Sequence, residues 1–285
     1  MTLTYNKLSK TPRIFNNLTG LTIDQFNQLL DSVQDEIILY NQSKFKTKGD
    51  LLLWYLIYLR TNICNIFLGY LFNLDASNIC RNFKKLDNKL SLIVNKGMEK
   101  LKLNIKKDLS LTKDKILELI VDVTELEIDR PKNKDKRKKT YSGKKKQYLK
   151  KKEIVVTKDK MIISVSKVYD GSIHDLTIRR SEKEIDDIIG SDKYQLYCDK
   201  GYIGLENNNI FIPKKKYQNK SLSLQDISQN KDINRKRIKV EHVFKDMKIF
   251  KSLKDKCRNF IEDTFNKRFI VIAGLVNLKN SFWEK

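Results

Sequence analysis

Apolar residues recur at helical spacing through roughly the first hundred positions, and at strand spacing from about residue 115 onward. In the first stretch Thr22 and Gln25 stand three apart, the spacing of a reciprocal helix cap, just before Phe26, Leu29 and Leu30. Gly49-Asp50 opens a second helix, LLLWYLIYLR, which is apolar on most faces and therefore central to a core. A helix over 63–71, a turn over 72–75 and a helix over 76–86 follow. In the last of these Ile79, Phe83 and Leu86 share one face, and Asn78, Arg81, Asn82 and Lys85 share the other. That make-up suits a helix-turn-helix whose second helix reads a DNA major groove. An ordinary helical hairpin has the same make-up.

After the polar, charged seam at 100–115, β-branched runs predict strands over 115–128, 151–157, 161–169, 194–199 and 209–215. One helix is expected over 174–189, between the third and fourth strands, and a long one over 234–253, after the fifth. The order predicts an α/β layer of ribonuclease-H type, a mixed sheet with helices on both faces. The domain expectation is therefore an all-α helix-turn-helix domain over 1–109 and a catalytic domain over 110–285.

Charge changes the picture. The formal net charge is +23, and thirteen Lys/Arg with a single acid, Asp135, crowd into residues 130–152. A lysine-rich composition would spread its excess evenly, whereas this concentration reads as a track for a phosphate backbone. Cys64, Cys80, Cys198 and Cys257 are far apart, and two histidines argue against a zinc site. The start carries no apolar signal core, and the apolar run 51–59 is too short to span a bilayer. These features suit a reduced cytoplasmic compartment beside the chromosome, with no membrane partner.

Three acids stand where a metal site could use them. Asp122 closes LELIVD, on the opposite strand face from Leu119, Val121 and Val123; Asp199 ends YQLYCD before Lys200-Gly201-Tyr202. Glu241 lies on the long helix with Arg237 four residues before and Lys248 seven after, all within roughly 60° of one face. Taken singly, each acid also reads as a solvated strand end, a turn acid or a helix salt bridge. Their surroundings decide between the readings: VDVTELEIDRP and YSGKKK after Asp122, GSIHD at 171–175, DKGYIG at 199–204, and NRKRIKVEHVFKDMK around Glu241. Together these strings closely resemble the insertion-sequence-five family of DDE transposases over residues 115–255. Three departures stand out, and none is at one of the three acids: Asn234 where the wider group has Tyr, Gln147–Lys150 where His-Thr and then Lys are usual, and Val123 where a small residue is common.

The resemblance implies a triad of Asp122, Asp199 and Glu241 that binds two Mg²⁺ ions, with Mn²⁺ as a substitute. It also implies cut-and-paste movement of DNA between terminal inverted repeats. Mg²⁺ takes hard oxygen ligands, and a pair of such ions can activate the attacking oxygen and stabilise the leaving one. Arg237, Lys248, Lys144, Lys145 and Lys146 are the expected phosphate contacts near the site. In the basic segment Gly143 is expected to turn a hairpin between two lysine-rich arms. Double-stranded DNA, both terminal repeats and target, is the expected partner, handled by a homo-oligomer. The alternative is a catalytically silent repressor derived from such an enzyme.

Overall fold

Thr22 and Thr47 each start a helix by a two-way exchange. The Thr22 hydroxyl accepts from Gln25 N–H at 3.2 Å while Gln25 Oε1 accepts from Thr22 N–H at 3.0 Å. Thr47 and Asp50 repeat the arrangement, and Asp50 Oδ1 also accepts from Tyr5 N–H at 2.7 Å. The computed structural model describes residues 3–39, 45–112, 115–216, 221–257 and 260–280. Its helical part begins with α1 (Tyr5–Leu8), α2 (Pro12–Thr19), α3 (Ile23–Val33), α4 (Lys48–Thr61), α5 (Asn65–Phe72) and α6 (Ala76–Leu111). Residues 51–59 of α4 are all buried, as expected of a helix apolar all round. The helix expected over 76–86 continues to Leu111, straight through the seam near residue 110.

The strand region follows as β1 (Leu117–Glu127), α7 (Lys134–Thr140), β2 (Tyr141–Ser142), β3 (Gln147–Thr157), β4 (Ile162–Val165), β5 (Tyr169–Asp170), α8 (Asp175–Ser181), α9 (Ile185–Ile189), β6 (Tyr194–Tyr197) and β7 (Ile210–Phe211). Then come α10 (Leu224–Lys248), α11 (Lys251–Lys254) and α12 (Glu262–Lys279). The strand order is β2-β3-β1-β6-β7, with β4 and β5 also pairing β3. β1 runs antiparallel to β3 and parallel to β6, so the sheet is mixed.

Several local expectations change. The first arm of the basic segment is a short helix, α7, whose Asn133 side chain accepts from the N–H groups of Asp135 and Lys136. The following turn runs from Gly143 to Lys146, and it is Lys146 that takes the left-handed conformation, at φ +55°. The single helix over 174–189 divides, because Glu182 Oε1 accepts from Tyr169 O–H at 2.6 Å and from Lys167 N–H, which draws the chain out of the helix toward β5. The long helix starts ten residues early, at Leu224, and stops at Lys248.

The chain forms two compact units, each discontinuous in sequence. The first takes the described residues of 1–95, 246–255 and 261–285, and the second those of 96–245 and 256–260. In the first, Asp87 of α6 accepts from Tyr55 O–H of α4 at 2.6 Å and from Arg268 Nε of α12 at 3.1 Å. The Arg268 guanidinium also lies over the Tyr58 ring, 4.9 Å from its centroid. Three helices that are far apart in sequence thus share one buried carboxylate. In the second unit Leu119, Val121, Val155, Ile163, Leu196 and Tyr202 make the core between the sheet, α9 and the end of α6.

Asp87→Ala should lower the unfolding free energy by about 3–5 kcal/mol, because it leaves Arg268 charged and unpaired in a buried site. Asp87→Asn, which retains an acceptor, should cost less. Urea denaturation followed by tryptophan fluorescence measures both, and equal, small losses would show that the pair is dispensable.

Candidate active site

Strand alternation sorts the charged groups of β1 and β3. The core takes Leu119, Val121 and Val123 on one face, and Asp122 turns to the other with Ile120 and Thr124. Helix α10 covers that second face. Lys236 donates to Tyr197 O–H at 2.6 Å and to Glu118, and lies 4.4 Å from the centroid of the Tyr197 ring. Arg237 places Nη2 3.4 Å from Asp122 Oδ2, and Val240 and Val243 bury the neighbouring stripe. Burial pushes the Asp122 carboxyl up to about 6. The Arg237 guanidinium and a hydrogen bond from Val123 N–H pull the other way, while the carboxylates of Asp199 and Asp175 add to the rise.

Asp199 reaches the same place from the neighbouring strand. β1 and β6 pair in parallel from Leu117↔Tyr194 to Ile120↔Tyr197, and the same register continued by two residues sets Asp199 beside Asp122. The strand ends there because Asp199 Oδ1 accepts from Gly201 N–H at 2.7 Å and starts a tight turn over Lys200–Tyr202. Gly201 is required by crowding. A Cβ there would lie 2.9 Å from Asp199 Oδ1 and 3.1 Å from Asp175 Oδ2, so these two oxygens lie within the sum of those approaches, ~6 Å, of each other.

Asp175 is the first residue of α8. It accepts from Lys151 Nζ at 3.1 Å, and Lys151 also donates to Ile173 C=O at 2.9 Å and lies 4.0 Å from Glu125. His174 precedes the helix without a capping hydrogen bond from its side chain. Beneath lies Glu153, 2% exposed on β3, with Arg179 Nη1 at 2.6 Å and the Tyr202 hydroxyl donating at 3.3 Å. Burial pushes the Glu153 carboxyl up to about 7 despite Arg179 and Tyr202. Composition and spacing singled out none of Lys151, Glu153, Arg179 or Tyr202 as a site residue. The one available signal was parity: Glu153 stands two residues before Val155, on the core-facing side of β3.

The remaining expected residues are spread out. Glu241 is exposed on α10, one turn beyond Arg237, and Lys248 ends that helix in the first unit. Lys144, Lys145 and Lys146 are exposed in the loop closed by the Tyr141↔Tyr148 pair. On α6, Arg81 and Lys85 are exposed and Asn78 and Asn82 half-buried, while Ile79, Phe83 and Leu86 are buried. Among the described residues no three of His, Cys, Asp or Glu are grouped so as to hold a metal ion by themselves.

Comparison with known proteins now bears on this arrangement. The family described as DDE superfamily endonuclease matches residues 121–277, from the residue before Asp122 to the last turn of α12. The chain belongs to the DDE superfamily endonucleases. It is also 29% identical over 282 residues, 94% of each chain, to a probable transposase for insertion sequence element IS702 from Microchaete diplosiphon. No solved structure matches it. The mixed sheet with its helices fits a ribonuclease-H-like DDE domain, and DDE superfamily endonucleases generally use divalent metal ions. No described helix is long and apolar enough to cross a membrane.

Glu153 gives this DDE endonuclease a pH signature. Its folded-state value of about 7 lies above the ordinary carboxylate value of 4.5, so its contribution to stability is present below pH 4.5 and lost as pH rises through 7. The loss amounts to roughly 3 kcal/mol. Glu153→Gln should flatten the slope of unfolding free energy between pH 5 and 7, as measured by denaturant titration. An unchanged slope would place the titration elsewhere.

Proposed function

We propose that this chain is a transposase that binds the terminal inverted repeats of its insertion sequence, cleaves phosphodiester bonds there and joins the 3′-OH ends to target DNA. The observation that carries the reading is the closeness of Asp122, on β1 under Arg237, to Asp199, just past the end of the parallel neighbour β6, near enough that the Asp199 carboxylate raises the Asp122 pKa. Asp122, Asp199 and Glu241 form the triad, and they hold two Mg²⁺ ions, with Mn²⁺ as a substitute. Mg²⁺ keeps much of its water and is commonly held by one or two carboxylates plus phosphate oxygens, so an open pair of aspartates suits it better than a closed cage. Two orphaned polar atoms favour an absent polar ligand: Arg237 Nε and Thr124 Oγ1 are buried without a hydrogen-bond partner, and Thr124 shares the strand face of Asp122. When bound, the ions supply Lewis-acid activation of the attacking and leaving oxygens.

The chain's own residues bind and orient. Arg237 holds Asp122 and offers its free Nε–H to a phosphate oxygen, and the Gly201 N–H fixes the rotamer of Asp199. Asn78, Arg81, Asn82 and Lys85 read base edges as the second helix of a helix-turn-helix, α5 being the first. Lys248 and the loop lysines Lys144, Lys145 and Lys146 contact backbone phosphates. The exposed Ile66, Phe67, Tyr70 and Leu71 of α5 give the homo-oligomer an uncharged surface on a strongly basic chain.

Asp199→Asn keeps shape and removes charge. Repeat DNA should still bind in a mobility-shift assay while divalent-metal-dependent nicking falls at least a hundredfold, and nicking at the wild-type rate would discard the assignment. Neutralising Lys144, Lys145 and Lys146 together should weaken binding to repeat and random DNA alike. It should also reduce the slope of log K against log salt by roughly 2–3 units, and an unchanged slope would leave the loop as solvent-facing charge.

A further inference from the structure

Helix α8 docks on strand β3 through two ion pairs of opposite polarity. Lys151 Nζ meets Asp175 Oδ1 at 3.1 Å, and Arg179 Nη1 meets Glu153 Oε1 at 2.6 Å. The spacing matches on the two sides. Residues two apart on a strand are about 6.8 Å apart along it, and residues four apart on a helix about 6.0 Å. Because the strand presents cation then anion and the helix anion then cation, reversing α8 would set like charges against each other at both rungs. At the second rung Glu153 is 2% and Arg179 5% exposed, so a mismatch there would be unrelieved by solvent; at the first, Lys151 is buried and Asp175 partly exposed.

The ladder's second rung has a further branch. Glu153 Oε2 accepts from the Tyr202 hydroxyl, and Tyr202 is fully buried at the end of the turn that begins at Asp199. Tyr202 N–H in turn donates to Asp199 C=O at 3.3 Å. At the first rung Asp175 abuts Gly201, whose N–H holds Asp199 Oδ1. One strand therefore grips the Asp199 turn from two directions, through Asp175 at Gly201 and through Glu153 at Tyr202.

We propose that Glu153, anchored by Arg179 and acting through the Tyr202 hydroxyl, is a positioning residue that holds the Asp199 carboxylate at one place beside Asp122. Its role rests on the reading of Asp199 as a metal-binding residue. Glu153 and Tyr202 touch neither metal nor DNA; they limit the freedom of the turn that carries Asp199.

Tyr202→Phe removes one hydroxyl and preserves the packing, and Glu153→Gln keeps the side-chain shape and one acceptor oxygen while losing the other, so Tyr202→Phe is the variant that tests the branch with least disturbance to the fold. In the full-length protein without DNA, hydrogen exchange at the Gly201 amide should accelerate roughly tenfold in each, the loss of a hydrogen bond to a charged group. Calorimetric titration with Mg²⁺ alone should show apparent affinity reduced by a similar factor. Nicking of repeat DNA should need proportionately more Mg²⁺, and excess Mg²⁺ should restore the rate. Wild-type exchange at Gly201 with wild-type Mg²⁺ dependence, even with a lowered Tm, would reduce the network to fold support and overturn the proposal. Asp199→Asn separates the two readings. If it abolishes nicking while the Tyr202 and Glu153 variants behave as wild type, the positioning role fails and the triad stands. If it leaves nicking intact, the triad fails, and the exchange at Gly201 alone decides whether the network restrains the turn.

Discussion

A strand turns alternate side chains to opposite faces, and β1 is held to one register from both sides, by β3 over nine paired residues and by β6 over four. Everything at the site follows from that constraint. A slip of one residue would bury Asp122 among Leu119 and Val155 and push Val121 under Arg237. Held where it is, β1 keeps its hydrophobic set inward while Asp122 faces α10. The same alternation on β3 sends Lys151 and Glu153 to the face opposite Asp122, where they meet α8. One sheet thus presents an open carboxylate pair on one side and a closed charge network on the other.

Burying charge is expensive, and a paired buried charge is often no more stabilising than a well-packed apolar pair. The chain nevertheless buries charge, most deeply in the ion pairs of Asp87 with Arg268 and Glu153 with Arg179. Each joins segments that are distant in sequence, and each has a third partner, Tyr55 or Tyr202, that uses remaining hydrogen-bonding capacity. What these clusters confer is orientation. An apolar contact tolerates sliding of a helix along a strand by an ångström, whereas alternating charges at matched spacing do not.

Much of this was legible in the sequence. Thr22–Gln25 capping, the buried α4, the helix pair flanking the turn after Phe72, and strands β1, β3 and β6 are all local patterns, set by spacing a few residues wide; Asp199 follows the end of β6 as expected, whereas β1 runs on five residues past Asp122 and leaves it in mid-strand. What was not legible depends on distant partners. Lys151 and Lys152 belong to the basic run read as a phosphate track, but both are buried, because β3 begins at Gln147 and carries them into the sheet. Nothing local to Glu182 foretells that Tyr169 will pull it out of a helix. Arg237 was expected to lie beside Glu241 and does, but its reach to Asp122 across 115 residues is a tertiary fact.

The first unit is assembled from the two ends of the chain, and Asp87 waits 181 residues for Arg268. During synthesis the N-terminal helices emerge long before α12, so their buried carboxylate lacks the Arg268 cation until α12 has been made. A polypeptide that stops short of Glu262 can complete the catalytic sheet, yet its helical half is left unfinished. A chain lacking α12 therefore leaves Asp87 without Arg268 and the N-terminal helices without the helix that packs against them.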